Sequence, residues 1–100
     1  MAAYTSGDWQ VKPGREKEFV EAWRELATWV GAEYDPGGWA KLLHDKDDPY
    51  HFRSVGEWSD LEAVTRWQGS DGFKQRMATM RELLDDMRIY SLSVAAEVQA

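Results

Sequence analysis

The 100-residue sequence contains no cysteine and only three prolines. Without cysteine the chain has no disulfides, thiolate metal sites, thiol nucleophiles or cysteine-ligated iron–sulfur clusters. Three prolines in a chain that is 43% hydrophobic argue against global disorder. Long apolar runs are missing too, and the opening MAAYTSGDWQ lacks the basic and apolar segments of a signal peptide. We therefore expect a single cytoplasmic domain over residues 1–100, with no membrane partner.

Positive charge is scarce, because 12 Lys and Arg oppose 18 Asp and Glu for a formal net charge of −6. Nucleic acids and anionic membranes attract basic surfaces, so we expect no nucleic-acid partner. Aromatic residues are plentiful by contrast, and six of them are tryptophans. Burial of one aromatic side chain removes about 150–250 Å² from water, so each tryptophan is in the first place a candidate for the core.

The hydrophobic pattern predicts alternating strands and helices. Period-two alternation predicts four strands, at 3–11, 39–44, 50–58 and 90–98. Apolar residues spaced three and four apart predict a helix over 15–30 that ends at Gly31. Trp29 falls outside the apolar stripe of this helix, which makes it a candidate contact with a partner.

A second helical region is predicted between the third and fourth strands. Ser59 and Glu62 have the spacing of a capping box, which predicts a helix over 60–68 with Ser59 as its N-cap. Gly-Ser-Asp-Gly at 69–72 interrupts the helix. A stripe with helical spacing then predicts that the helix resumes, through Phe73, Met77, Met80, Leu84 and Met87.

The resulting βαββαβ order is that of a ferredoxin-like α+β fold. Such a fold has a four-stranded antiparallel sheet with two helices on one face, which leaves the other face bare. Strands 39–44 and 50–58 nevertheless carry apolar side chains on both sides. A second copy is the commonest cover for such a face, so we predict a homodimer formed through the open sheet face.

Few residues suggest chemistry by themselves. His44 and His51 flank an acidic loop at 45–49, but their spacing matches no standard metal site and we expect no metal. Imidazole titrates near neutral pH, which makes His51 a candidate general base. Trp67 precedes the break at 69–72 and would border the space that a broken helix leaves over a small sheet, although packing in the core explains its position equally well.

Three segments together resemble the antibiotic biosynthesis monooxygenase family of the dimeric α/β-barrel superfamily. They are VKPGREKEFVEAW at 11–23, FRSVGEWSDLEAVTRW at 52–67 and the S-x-x-F pattern from Ser70 to Phe73, and the resemblance covers roughly residues 4–98. It implies a ferredoxin-like protomer, a dimeric barrel and a pocket between sheet and helices. Some members of the family oxidise phenolic or quinol-type aromatics with O₂ and without metal or flavin, others degrade haem, and many have no known substrate.

The resemblance can be followed residue by residue. Haem-degrading members carry an Asn on the first strand, a Trp on the second helix and a His ten residues later. Trp67 matches the Trp, but Gly7 and Met77 stand where the Asn and His are expected. In quinone-forming members, polar groups surround the same Trp. Here Phe73 and Ala63 replace an expected Tyr and Asn, and Arg88 is the candidate for an Arg.

The leading hypothesis is thus a cofactor-independent monooxygenase that oxidises a small phenolic or quinol-type aromatic. The first alternative is a non-catalytic metabolite-binding protein of the same fold, and the second is a haem-binding or haem-degrading protein, disfavoured because of Met77. The expected substrate pocket consists of aromatic and thioether side chains: Trp9, Trp67, Phe73 and Met77. The candidate catalytic residues are Trp67 and polar side chains able to hold or move a proton: Asp8, His51, Arg53 and Arg88.

Overall fold

The computed structural model describes residues 3–100, which form a four-stranded antiparallel sheet with three helices. Along the chain the elements are β1 (Ala3–Val11), α1 (Glu16–Glu33), β2 (Trp39–His44), β3 (His51–Trp58), α2 (Leu61–Gln68), α3 (Asp71–Arg81) and β4 (Leu84–Leu92). The sheet order is β2-β3-β1-β4, which confirms the predicted ferredoxin-like α+β fold, with the second helical region divided into α2 and α3. Within these residues, no helix is both long and apolar enough to cross a membrane.

Alternation along the strands gives the sheet two different faces. In β1, Trp9 and Val11 are buried under the helices, on what we call the helix face. The neighbouring Asp8 lies on the opposite side of the sheet, which we call the open face. Arg53 of β3 lies opposite Asp8 in the strand register and shares this face. The period-two alternation predicted for β1 and β3 is therefore confirmed.

The core of the helix face is centred on Phe19 of α1, which is fully buried. Its ring centroid lies 5.6 Å from that of Trp9 and 5.3 Å from that of Phe52. The predicted apolar stripe of α1 is confirmed, but the predicted end at Gly31 is wrong, because the helix continues to Glu33. A glycine inside a helix costs roughly 1 kcal/mol, which the packing of α1 on the sheet offsets.

Trp29 packs against its own chain, and its expected contact with a partner stays a prediction. Its ring packs edge-on against Tyr34 at 5.6 Å, and the Arg76 guanidinium lies 4.3 Å from its centroid. Gly72 allows this approach, because a Cβ at that position would lie 2.6 Å from the indole. The residue outside the α1 stripe therefore joins α1 to α3.

The N-cap of α2 is Asp60, not Ser59 as the capping-box pattern predicts. An Asp60 carboxylate oxygen accepts a hydrogen bond of 2.7 Å from the Ala63 N–H. Ser59 is engaged elsewhere, because its backbone N–H and its hydroxyl both donate to Asp35. Asp and Ser are equally good caps, so tertiary contacts decide between two adjacent candidates.

The boundary between α3 and β4 also differs from the prediction. The helix ends at Arg81, so Leu84 and Met87 belong to β4, and this strand ends at Leu92 rather than at residue 98. The cause is a register shift of the kind a β-bulge makes: Val11 pairs with Leu84 but Gln10 pairs with Asp86. The extra residue lies in β4 and places two residues that face the helices, Leu84 and Met87, three positions apart in sequence. A spacing of three is also typical of one face of a helix.

Candidate functional site

A cavity of about 350 Å³ lies between the sheet and α1. Five of the six tryptophans contribute to its wall: Trp9, Trp23, Trp39, Trp58 and Trp67. The exposed residues of the wall mark the side that faces solvent: Arg24, Thr28, Gly38, Trp39 and Ala40. Small-molecule sites typically enclose about 300–1,000 Å³ and are mostly apolar, so this cavity is the candidate site.

Two of the wall tryptophans are fixed by hydrogen bonds within the sheet. The Trp9 indole N–H donates to the Ser54 hydroxyl at 3.0 Å, and the Trp58 indole N–H donates to the Thr5 hydroxyl at 3.0 Å. The Trp9 ring also lies over Gly7, where a Cβ would be 2.5 Å from Nε1 of the indole. These contacts hold both rings in place before any ligand arrives.

Trp67 is the third buried tryptophan of the wall, and its indole N–H is not satisfied. Trp67 is 6% exposed, and its ring centroid lies 5.2 Å from that of Trp58 and 4.9 Å from that of Phe73. Its Nε1 is a buried polar atom with no hydrogen-bond partner among residues 3–100. A buried donor without an acceptor costs about 1–3 kcal/mol, so a ligand oxygen beside it would recover that energy.

The structure brings together most of the pocket predicted from sequence. Trp9, Trp67 and Met77 line the cavity, whereas Phe73 lies outside the wall and packs edge-on against Trp67. Trp58 lines it too, although the sequence assigned this residue to the sheet core. Trp58 lies on the same face of β3 as Phe52, and this shared face is the sequence signal that could have identified Trp58 as a cavity residue.

The polar candidates for catalysis lie elsewhere, on the open face. His51 is bracketed by two carboxylates: its Nδ1 lies 2.8 Å from Asp45 and its Nε2 contacts Asp8, which also pairs with Arg53 at 3.2 Å. Arg88 of β4 lies opposite Asp8 in the strand register, on the same open face. The sheet thus separates these residues from the Trp67 ring, and the structure does not bring the two groups together.

The carboxylates beside His51 shift the ionisation of this cluster. Hydrogen bonds to Asp45 and then to Asp8 raise the pKa of His51 above its ordinary value of 6.5. The hydrogen bond to His51 in turn lowers the pKa of Asp8 and of Asp45. Each shift favours the charged form, so the cluster is an ionic network in the folded protein.

We expect the folded protein to lose stability as the pH rises through the raised pKa of His51. A raised pKa stabilises the fold fully at pH values below the unfolded pKa, about 6.5, and this contribution disappears as the folded imidazolium deprotonates. The free energy of unfolding should therefore fall between about pH 6 and about pH 9. Urea titrations at both pH values measure it, in the wild type and in His51→Gln.

The matched control for this prediction is His44→Gln. The His44 ring stacks on Phe52 with 4.3 Å between centroids and contacts the Pro49 carbonyl, and no carboxylate hydrogen bond to it is present among residues 3–100. The loss of stability with pH should be smaller in His51→Gln and unchanged in His44→Gln. The same pH dependence in all three proteins would contradict the role of the cluster.

Asp35 is the buried carboxylate of the cavity wall, and sequence reasoning did not identify it as a site residue. It is 7% exposed, and its two oxygens accept hydrogen bonds from the Ser59 backbone N–H at 3.0 Å and from the Ser59 hydroxyl at 2.7 Å. No ion pair involves it in the described part of the chain. Its partner lies 24 positions away, beyond the reach of a local pattern.

The wall does not offer the ligands that haem iron requires. Among residues 3–100, no histidine, cysteine or tyrosine contributes to the cavity, and Met77 is its one sulfur side chain. Nor do residues 3–100 contain a group of three or more His, Asp or Glu side chains placed to hold a metal ion. The donor set therefore does not fit haem chemistry.

Comparison with solved structures gives close matches of fold over nearly the whole chain. SnoaB, a cofactor-independent oxygenase from Streptomyces nogalater, is 18% identical, with a TM-score of 0.84 over 99% of this chain and 98% of that one. A conserved protein from Methanosarcina mazei Go1 is 22% identical, with a TM-score of 0.76 over 92% and 91%. Rv0793 from Mycobacterium tuberculosis is 16% identical, with a TM-score of 0.78 over 99% and 100%.

At sequence identities this low, a structural match shows a shared fold alone. Membership of a family is shown instead by a match to a family's sequence profile. No curated protein matches the chain. The model named antibiotic biosynthesis monooxygenase matches residues 6–79, well over half of the chain and including most of β1, all of α1 and Trp67. The chain therefore belongs to the antibiotic biosynthesis monooxygenase family.

Proposed function

We propose that this protein is a cofactor-independent monooxygenase that oxidises a small phenolic or quinol-type aromatic with O₂. The observation that carries the proposal is the cavity wall, which is rich in tryptophan and includes Trp67 with its buried, unpaired indole N–H. Aromatic rings favour stacked or edge-on aromatic partners, and the free N–H suits a ligand oxygen. Family membership and the fold shared with SnoaB support the same reading.

The reaction converts a phenol and O₂ into a quinone and water. Loss of the phenolic proton gives an electron-rich phenolate, which passes one electron to O₂. The two radicals combine to a peroxide at a ring carbon. The peroxide takes up the proton that the phenol released, and the O–O bond breaks as that carbon loses its hydrogen as a proton, so one oxygen atom stays in the quinone and the other leaves as water.

The protein contributes orientation, exclusion of water and a hydrogen bond. Trp9 and Trp58 are held by Ser54 and Thr5 and therefore present rigid surfaces to a stacked ring. Trp67 donates its N–H to the phenolic oxygen as negative charge develops there. Such a donor is strongest in a site with few competing polar groups, and this wall is mostly apolar.

We expect Trp67→Phe to lower the rate of oxygen consumption about 10²-fold with a responsive quinol, because it removes the N–H and keeps an aromatic ring. The measurement is oxygen uptake with a panel of naphthols and naphthohydroquinones. Trp29→Phe is the matched control, since Trp29 packs against α3 and does not line the cavity. Equal rates for wild type and Trp67→Phe would contradict this role of the N–H, and no uptake with any compound would contradict the proposal.

One observation favours a second candidate, a non-catalytic metabolite-binding protein. Asp8, His51 and Arg88 lie across the sheet from the cavity, so few groups that transfer protons near neutral pH border a bound ligand. Calorimetric binding of panel compounds without oxygen uptake would select this candidate.

We also propose that the protein is a homodimer formed through the open face. Large apolar side chains are exposed at both edges of that face, with Trp39 and Leu43 on β2 and Leu92 on β4. Such exposed apolar residues on one sheet face are typical of an interface. We expect light scattering at micromolar concentration to give about twice the 11.5 kDa chain mass.

Two exposed leucines provide the test of this interface. Leu43 is 50% exposed on the open face, and Leu61 is 59% exposed on α2. Leu43→Glu should give a monomer because it places a charge in the interface, and Leu61→Glu should leave the dimer intact. A monomeric wild type, or a dimer unaffected by Leu43→Glu, would contradict the proposal.

A further inference from the structure

Asp35 combines deep burial with a lack of opposing charge. Carboxylates are rarely buried unless a cation or several donors compensate for the lost hydration. Among residues 3–100, the donors to Asp35 are the two groups of Ser59, and neither is charged. Each carboxylate oxygen has two acceptor positions, so each retains one position after its bond to Ser59.

The chain is also arranged to accommodate this carboxylate. Residue 38 is a glycine, and a Cβ there would collide with an Asp35 oxygen and lie 2.6 Å from the Glu57 carbonyl. The Gly38 N–H donates to the Asp35 carbonyl at 3.0 Å, which closes the turn around the side chain. A turn needs only the backbone bond, so the fold alone does not explain a buried acid that borders the cavity.

Trp67 and Asp35 are complementary members of the same wall. Trp67 is a buried donor without an acceptor, and Asp35 is a buried acceptor with unused capacity. Both line a cavity whose remaining surface is largely aromatic and aliphatic. A ligand that satisfies both must carry an oxygen to accept from Trp67 and a hydroxyl to donate to Asp35.

We propose that Asp35 is a binding and positioning residue that accepts a hydrogen bond from a hydroxyl group of the aromatic ligand. This inference rests on the proposed function, since it assigns a second polar contact in the same cavity. It also extends that function, because it makes the ligand's O–H a specificity determinant. Asp35 thereby orients the hydroxyl group before it loses its proton.

The experiment compares two ligands that differ in the hydroxyl group alone. 1-Naphthol can donate a hydrogen bond, whereas 1-fluoronaphthalene is similar in size and cannot. Dissociation constants are measured by calorimetry without oxygen, so that no turnover occurs. A hydrogen bond to a charged acceptor corresponds to about tenfold or more in affinity. We expect Asp35→Asn to reduce the preference for 1-naphthol about tenfold relative to the wild type.

Asp60→Asn is the matched control. Asp60 neighbours the Ser59 anchor, caps α2 and lies outside the cavity wall, and Asn is an equally good cap. This variant should keep the wild-type preference. If Asp35 had only a structural role, Asp35→Asn would change the affinity for both ligands by the same factor. The ratio of the two dissociation constants would then be the same as in the wild type.

The outcomes separate this inference from the proposed function. If both ligands bind and Asp35→Asn leaves their ratio unchanged, the role of Asp35 is overturned and the aromatic cavity stands. If neither ligand nor any panel compound binds, both proposals are overturned. The wild type provides a check that needs no variant, since tighter binding of 1-fluoronaphthalene than of 1-naphthol would also overturn the role of Asp35.

Discussion

Phe19→Ala is expected to destabilise the protein by about 3–5 kcal/mol, because it removes the ring at the centre of the core. The Phe19 ring is fully buried and touches rings from two different strands, those of Trp9 and Phe52. Its removal leaves a void that α1 can close only by moving on the sheet. Urea unfolding measures the loss, and the melting temperature should fall by more than about 10 °C.

Leu61→Ala is the control for this change. Leu61 is 59% exposed at the start of α2, so its truncation should alter stability by no more than about 0.5 kcal/mol. A cost below about 1 kcal/mol for Phe19→Ala would show that the core is not centred on α1.

Gly7→Ala is expected to destabilise the fold by about 1–3 kcal/mol and to abolish ligand binding in the cavity. The added Cβ would lie 2.5 Å from Nε1 of Trp9, so the indole must leave its position. Its bond to Ser54 would break, and the displaced ring would change the shape of the wall. Urea unfolding and calorimetry with 1-naphthol measure the two effects.

The same substitution at Gly31 provides the comparison. Gly31 lies within α1, and a Cβ there would meet no atom within 4 Å. Alanine is a better helix former than glycine by about 0.8–1.0 kcal/mol, so Gly31→Ala should stabilise the protein. If Gly7→Ala binds 1-naphthol as the wild type does, Trp9 does not have to lie over residue 7 for the site to form.

The strands and α1 were predictable because their patterns are local. β2 matches its predicted bounds, and Trp9 and Asp8 were assigned to opposite faces by alternation alone. The start of β4 was not predictable, because the register shift opposite Gln10 and Val11 gives its inward residues a helical spacing. The prediction also extended β4 too far: the strand ends at Leu92, which lies opposite Tyr4 near the start of β1.

The site was only partly predictable for a similar reason. Trp67 was identified from its position before the break at 69–72 and from the family resemblance, Met77 was identified from the resemblance, and both line the cavity. The contribution of Asp35 depends on its bonds to Ser59, and sequence spacing carries no information about a contact between a turn and the end of a distant strand. His51 and Asp8 attracted attention because of their chemistry, which says nothing about the side of the sheet on which they lie.

Alternation in β1 has a consequence for how this gene can change over time. Odd-numbered positions such as Trp9 serve the cavity, and even-numbered positions such as Asp8 serve the ionic cluster, so point mutations can alter either side independently. Insertion or deletion of one codon inside β1 would instead exchange the two sets, placing a carboxylate among the tryptophans and an indole in the ionic cluster. Length variation in this segment should therefore be purged, while substitutions accumulate separately on each side.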